Sequence, residues 1–310
     1  MGEYLAAIDH VSECFVKPKY AVDESKQPYY LGPWDLAMLS VNYIQKGLLF
    51  AKPENDPEYS TDKFLDGLKE SLSIALVHFY PLTGQLASRV DEDKHESLVY
   101  VDCTKGSRAK FIHATLDMTM SDILSPIDIP LVVHSFFDHH KAINYDGHTQ
   151  PLLLVRITEL LDGIFIGVSM NHVLADGVAY WHFWKTWSDI HVAKLGNEAS
   201  IISTPPIHKR WLPDGYMLPV PLPFTHPDEF ISRYERPLLR ERIFHFSSES
   251  IATLKAKANA ESNTSKISSF QALSALGWRS IVRANTIPHD ETTNCRLAIN
   301  NLTQTRPTIA

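Results

Sequence analysis

Two apolar runs split by Asp162-Gly163, "PLLLVRITELLDGIFIGVSM" at residues 151–170, constrain the fold of this chain more than any other feature. Asp-Gly between β-branched and aliphatic runs is a strong hairpin signal, because these residues tolerate the positive φ that tight hairpin turns require. Both runs are apolar at nearly every position rather than alternating, so both strands are expected to be buried on two faces. Helical periodicity appears elsewhere. From Thr61 onward, Phe64, Leu65, Leu68, Leu72, Ala75, Leu76 and Phe79 recur at helical spacing, with Ser60 or Thr61 as N-cap and Pro81 as a stop. "SLVYVDC" alternates as a strand. These patterns give an α/β fold class.

The second apolar run delivers the chain to "NHVLADGVAYWHFWKTW", where His172 and Asp176 stand four positions apart. The spacing alone is weak in a chain with fifteen histidines, since His113 with Asp117 and His134 with Asp138 match it too. His113 reads as a partly buried strand histidine. His134, with His139, His140, Asp146 and His148 nearby, raises a metal alternative, but the spacing follows no recurring zinc pattern and no metal is expected. His172 differs in its context: a strand end, a tight turn, and a helix whose Val178, Trp181, Trp184, Trp187 and Ile190 recur every three residues as a packing stripe. A general base needs a fixed position, access to substrate and neighbours that stop its ring rotating. Asp176 is placed to satisfy the turn's backbone or an arginine, and Gly177 to supply a torsion closed to other residues. Read from these residues alone, His172 is either a catalytic base or a satisfied core histidine.

Composition narrows the partners. The 310 residues are 44 % apolar and 21 % charged, enough to bury a core, and the net charge of −7 with no lysine- or arginine-rich stripe argues against nucleic acid. Cys14, Cys103 and Cys295 are odd in number and far apart, and the N-terminus has no secretory pattern, so a reduced, cytoplasmic protein is expected. No apolar stretch reaches the length that spans a bilayer, so no membrane partner is expected. Prolines crowd residues 192–240, read as a crossover linker between an N-terminal domain at 1–191 and a second α/β unit at 241–310. That unit is expected to hold a strand "RIFHF", a helix capped by Ser247 or Ser248 through Ala260, a helix "SSFQALSALGWRSIVRA" and a strand "CRLAIN".

"NHVLADG" with its preceding hairpin resembles the His-x-x-x-Asp-Gly motif of the plant BAHD acyl-CoA-dependent acyltransferases. The likeness extends through "LGPWDLAMLSVNYIQKGLLFAKP", "SLSIALVHFYPLTGQLA", "GSRAKFIHA" and "SSFQALSALGWRSIVRA", nearly the whole chain up to about Asn300. The resemblance implies a CoA-dependent acyltransferase-like fold of two α/β domains, mixed sheets with flanking helices, and a channel between the domains. It implies His172 as general base, removing a proton from a hydroxyl or amine of a small plant metabolite that attacks the thioester of acyl-CoA. It also implies that Asp176 and Gly177 are structural, that acyl-CoA is a co-substrate with no permanently bound cofactor, and that the protein is a monomer. An imidazole suits the task because it titrates near neutrality and can return the proton to the leaving thiolate. The family's Asp-Phe-Gly-Trp-Gly motif does not occur here. The second domain is therefore expected to be incomplete, with a non-catalytic fragment or isoform that binds a ligand or partner as the alternative to an enzyme.

Overall fold

A computed structural model describes residues 8–53, 59–105, 109–196, 202, 204–209, 212, 214–215, 217–235, 239–288 and 290–297. The chain divides into two units, Met1–Arg242 and Ile243–Ala310. The first runs β1 (Asp9–Val16), β2 (Tyr29–Tyr30), α1 (Pro33–Ala37), β3 (Ile44–Ala51), α2 (Thr61–His78), β4 (Gln85–Asp91), β5 (Glu96–Asp102), β6 (Ala109–Thr115), α3 (Met120–Leu124), β7 (Leu153–Glu159), β8 (Gly163–Met170) and α4 (Gly177–Leu195).

Five strands form one mixed sheet in the order β1-β6-β7-β8-β3, and β2, β5 and β4 form a second, antiparallel one. Only the β6–β7 pair of the large sheet is parallel. The Asp162-Gly163 hairpin is present, although neither residue takes the positive φ expected there, and β8 pairs along its whole length with β3 on one side and from Ile164 to Met170 with β7 on the other. Its two faces are both covered. Ile164, Ile166, Val168 and Met170 join Leu72 and Leu76 of α2 and Tyr180, Phe183 and Trp187 of α4 in the main core. Phe165 packs on the opposite side with Leu116, Val132, Phe136 and Leu160.

Helix α2 follows its periodicity: Ser60 caps it through the Lys63 N–H, and it ends at His78, before a helical turn at Tyr80–Thr83 that contains Pro81. Helix α4 departs from the stripe read at period three. Tyr180, Phe183, Trp184, Thr186, Trp187 and Ile190 are buried, whereas Val178 and Trp181 are 49 % and 43 % exposed. Three residues advance a helix by about 300°, so a strict period of three slips about 60° per step. Val178 and Trp187 thus lie on opposite sides. Buried Trp187 anchors α4 to α2 by donating its indole N–H to Ser71 Oγ at 3.0 Å.

The described part of the proline-rich stretch at 217–235 packs against the first unit. Leu222 exchanges backbone hydrogen bonds with Ser97 at 2.8 and 3.0 Å, and Val220, Leu222, Phe230 and Ile231 pack on the core behind the small sheet. In the second unit, α5 (Ser248–Glu261) is capped by Ser247, and α6 (Ser269–Ala284) begins with a Ser268/Gln271 capping box. Asn259 joins them, bonding both the N–H and the carbonyl of Ile267. "RIFHF" forms no strand, because an alternating segment without a paired neighbour has no ladder to join. In "CRLAIN", residues 295–297 form no strand and 298–300 lie outside the described residues. No helix among the described residues is long and apolar enough to cross a membrane.

Candidate active site

His172 stands two residues past the end of β8, in a turn that runs from the sheet into α4. The turn is held by two asparagines with no exposure to solvent, Asn171 and Asn144. Burying an amide costs free energy unless its donors and acceptors are matched, and here they are. Asn144 accepts the His172 backbone N–H on its side-chain oxygen at 2.7 Å and donates its side-chain NH2 to the Met38 carbonyl at 2.8 Å. Its backbone N–H bonds the Val41 carbonyl at 2.8 Å, and its carbonyl accepts from the Asn171 side chain at 2.8 Å. Asn171 also accepts the Val173 N–H at 3.2 Å and donates its own N–H to the Leu152 carbonyl at 2.8 Å.

Glycine permits this approach at one position. A Cβ on Gly147 would stand 2.6 Å from Leu152 Cδ2 and 2.9 Å from the Asn171 side-chain nitrogen, so any larger residue would have to push these side chains out of place. Tyr43, buried alongside, donates its hydroxyl to the Pro151 carbonyl at 3.1 Å. Burial pushes its phenol well above the ordinary value, and contact with Asn171 offsets only part of the shift. Met170, Leu174 and Ala175, flanking the turn, line a cavity of about 330 Å³ with Phe79, Phe183 and Ile207.

The His172 backbone is therefore fixed while its half-buried ring makes no hydrogen bond to any side chain among the described residues. Asp176 is the N-cap of α4: its carboxylate accepts the Ala179 N–H at 2.8 Å, and its carbonyl accepts from Tyr180 at 2.9 Å. No arginine among the described residues pairs with it. The torsion expected at Gly177 is not there. Gly177 is the first residue of α4, its φ is not positive, and a Cβ would meet nothing within 4 Å, because a helix start imposes ordinary helical angles.

The other histidines are engaged elsewhere. His113, buried on β6, lies 3.3 Å from Glu159, whose carboxyl burial alone would raise but which Lys52, Thr61 and His113 together hold below the ordinary range. His134 stacks on His140 at 4.4 Å and lies 3.3 Å from Glu241, and His148 joins Ser88 at 2.7 Å to the Tyr145 carbonyl at 2.8 Å. No group of histidine, cysteine and carboxylate side chains among the described residues has metal-binding geometry. The sequence reading passed over Asn144 and Asn171. Asn171 adjoins His172 in sequence, and Asn144 hides in the histidine-rich stretch that raised the metal alternative.

Comparison with known proteins matches residues 6–308 to the family model described as Transferase family. An uncharacterized acetyltransferase of Arabidopsis thaliana is 37 % identical over 96 % of this chain and 66 % of its own length. The shikimate O-hydroxycinnamoyltransferase of Nicotiana tabacum is 29 % identical over 86 % of this chain and 60 % of its own. The crystal structure of vinorine synthase superposes with a TM-score of 0.62 at 22 % identity, covering 90 % of this chain and 62 % of that one, so the fold is shared. The chain thus spans just under two thirds of the lengths of the proteins it matches. Family match, fold and the His-x-x-x-Asp-Gly turn at the end of β8 agree: this chain belongs to the Transferase family, that of the plant BAHD acyltransferases.

Proposed function

We propose that the chain carries the base-bearing part of an acyltransferase that moves an acyl group from acyl-CoA to a hydroxyl or amine of a small plant metabolite. The observation that carries this reading is the contrast at His172, a backbone locked by two fully buried asparagines beneath a ring left without a side-chain partner among the described residues. A histidine kept for packing has no need of such a frame. A base does, because proton transfer falls off steeply with misplacement.

In the proposed reaction His172 removes the proton from the acceptor as its oxygen or nitrogen attacks the thioester carbonyl. The carbon–sulfur bond then breaks, and the imidazolium returns the proton to the departing thiolate, releasing free CoA. Asp176 keeps α4 seated and takes no proton. The apolar cavity beside Leu174 and Ala175 supports a hydrophobic acyl or acceptor group near the turn. The reading also makes the protein a cytoplasmic monomer, supported for the compartment by three unpaired cysteines, with domains at 1–191 and 241–310 joined by a crossover at 192–240.

The test is thiol release from acetyl-CoA and benzoyl-CoA in the presence of small alcohols and amines. His172→Ala is expected to lower turnover by about two to four orders of magnitude without changing the melting temperature. Turnover unaffected by that substitution would remove His172 from the mechanism.

A further inference from the structure

We propose that Arg233 is a positioning residue for His172, acting through Asp146 and Asn144; its catalytic meaning rests on His172 being the base. Arg233 forks onto Asp146, one guanidinium nitrogen 2.6 Å from Oδ1 and the other 3.4 Å from Oδ2. Asp146 Oδ2 also accepts the Ile143 N–H at 3.0 Å, so this carboxylate closes the turn that contains Asn144. Asn144 in turn receives the His172 N–H. Hydrogen bonds and the Ile143–Asn144 peptide link thus lead from the proline-rich stretch to the backbone of the base.

The same segment fastens the other half of the frame. Ser232 donates its N–H to Ser40 Oγ at 2.9 Å. Ser40 lies between Leu39 and Val41, whose carbonyls accept the N–H groups of Tyr145 and Asn144, and close to Met38, whose carbonyl accepts the Asn144 side chain. Residues 232 and 233 therefore bind both loops that grip Asn144. Phe230 adds a ring contact to Tyr145, with centroids 6.0 Å apart.

Magnitude separates position from stability. The Arg233 side chain is 61 % exposed, and an ion pair with so open a partner contributes little to the global fold. Its consequence is local. Asp146 stands two residues from Asn144, so loosening its turn shifts the acceptor on which the His172 N–H depends, and sub-ångström errors in a base are costly.

Amide hydrogen exchange on the full chain, read beside acyl-CoA turnover, tests this. In Arg233→Gln, the His172 and Ile143 amides are expected to exchange about fivefold to tenfold faster, while Asn171, bonded to Leu152, keeps its protection. Turnover number should fall by a similar factor with KM for acetyl-CoA or benzoyl-CoA unchanged. Arg233→Lys should recover only part of both, because an ammonium cannot fork onto two oxygens. Asp146→Asn should match Arg233→Gln, and the double substitution should add little. Unchanged His172 exchange in Arg233→Gln, or an acceleration shared equally by Asn171, overturns the role of Arg233. If instead exchange changes as expected but His172→Ala keeps full turnover, the base reading falls, and the catalytic half of the proposal with it.

Discussion

The backbone N–H of His172 and the side-chain oxygen of Asn144 meet at 2.7 Å across 28 positions of sequence. Asn144 offers the turn a buried acceptor that no apolar residue supplies, and its amide NH2 is committed to Met38 on the other side. Each residue is held by the other's need for a partner.

Asn144→Ala leaves the His172 N–H and the Met38 carbonyl unmatched in a buried site. A loss of about 3 kcal/mol is expected in urea denaturation, since each orphaned group costs roughly 1–3 kcal/mol. Asn144→Leu, close in size, should lose a similar amount, which would assign the effect to hydrogen bonding rather than to volume.

Asp176 acts as a helix cap, so Asp176→Ala should lower stability by about 1 kcal/mol, the usual effect of losing an N-cap. Asp176→Asn should restore most of it because the amide oxygen still reaches the Ala179 N–H. A restored melting temperature with absent turnover in Asp176→Asn would assign the carboxylate a direct chemical role.

Trp187→Ala is expected to cost about 3–5 kcal/mol, the range for deleting a buried tryptophan. Trp187→Phe keeps most of the volume and loses the indole's bonds to Ser71 and the Leu68 carbonyl, while Ser71 keeps its own bond to that carbonyl, so about 0.5–1.5 kcal/mol is expected from the lost hydrogen bonding. Chemical denaturation of both variants separates packing from hydrogen bonding at the α2–α4 contact.

Burial depresses the titration of His78, His139, His148 and His191 below the ordinary imidazole value. The unfolded chain therefore binds more protons than the folded one once pH falls below about 6.5, so stability is fully present above that pH and is lost as pH drops through the folded values. Urea midpoints at pH 7.5 and 5.5 should show the decline. His139→Asn should make it smaller; φ at this position is 57°, a conformation asparagine tolerates well.

What was legible in the sequence was local. The Asp162-Gly163 hairpin and the helix caps at Ser60 and Ser247 each depend on residues within a few positions of one another, and the structure has all three. The buried face of α4 was misread because a period of three mimics a helix over one turn and fails over four. "RIFHF" was misread because strand formation depends on a neighbour that the segment itself does not encode. Asn144 was invisible for the same reason in polar form: nothing in "AINYDG" states that its amide will meet a backbone group after His172 has been placed.

The pairing of β8 with β3 has a consequence during synthesis. Gln45 and Ser169, joined at 3.0 Å across these strands, are 124 residues apart. At about 5–20 residues per second, β3 leaves the ribosome roughly 6–25 s before its partner exists. Throughout that interval Leu48 and Phe50 travel on an unpaired strand, exposed to whatever else in the cell binds apolar β-edges. The strand that later supports the His172 turn is thus also the one whose arrival ends the interval in which β3 stands unpaired, and a synonymous change that slows translation between the two would lengthen that interval without altering a single residue.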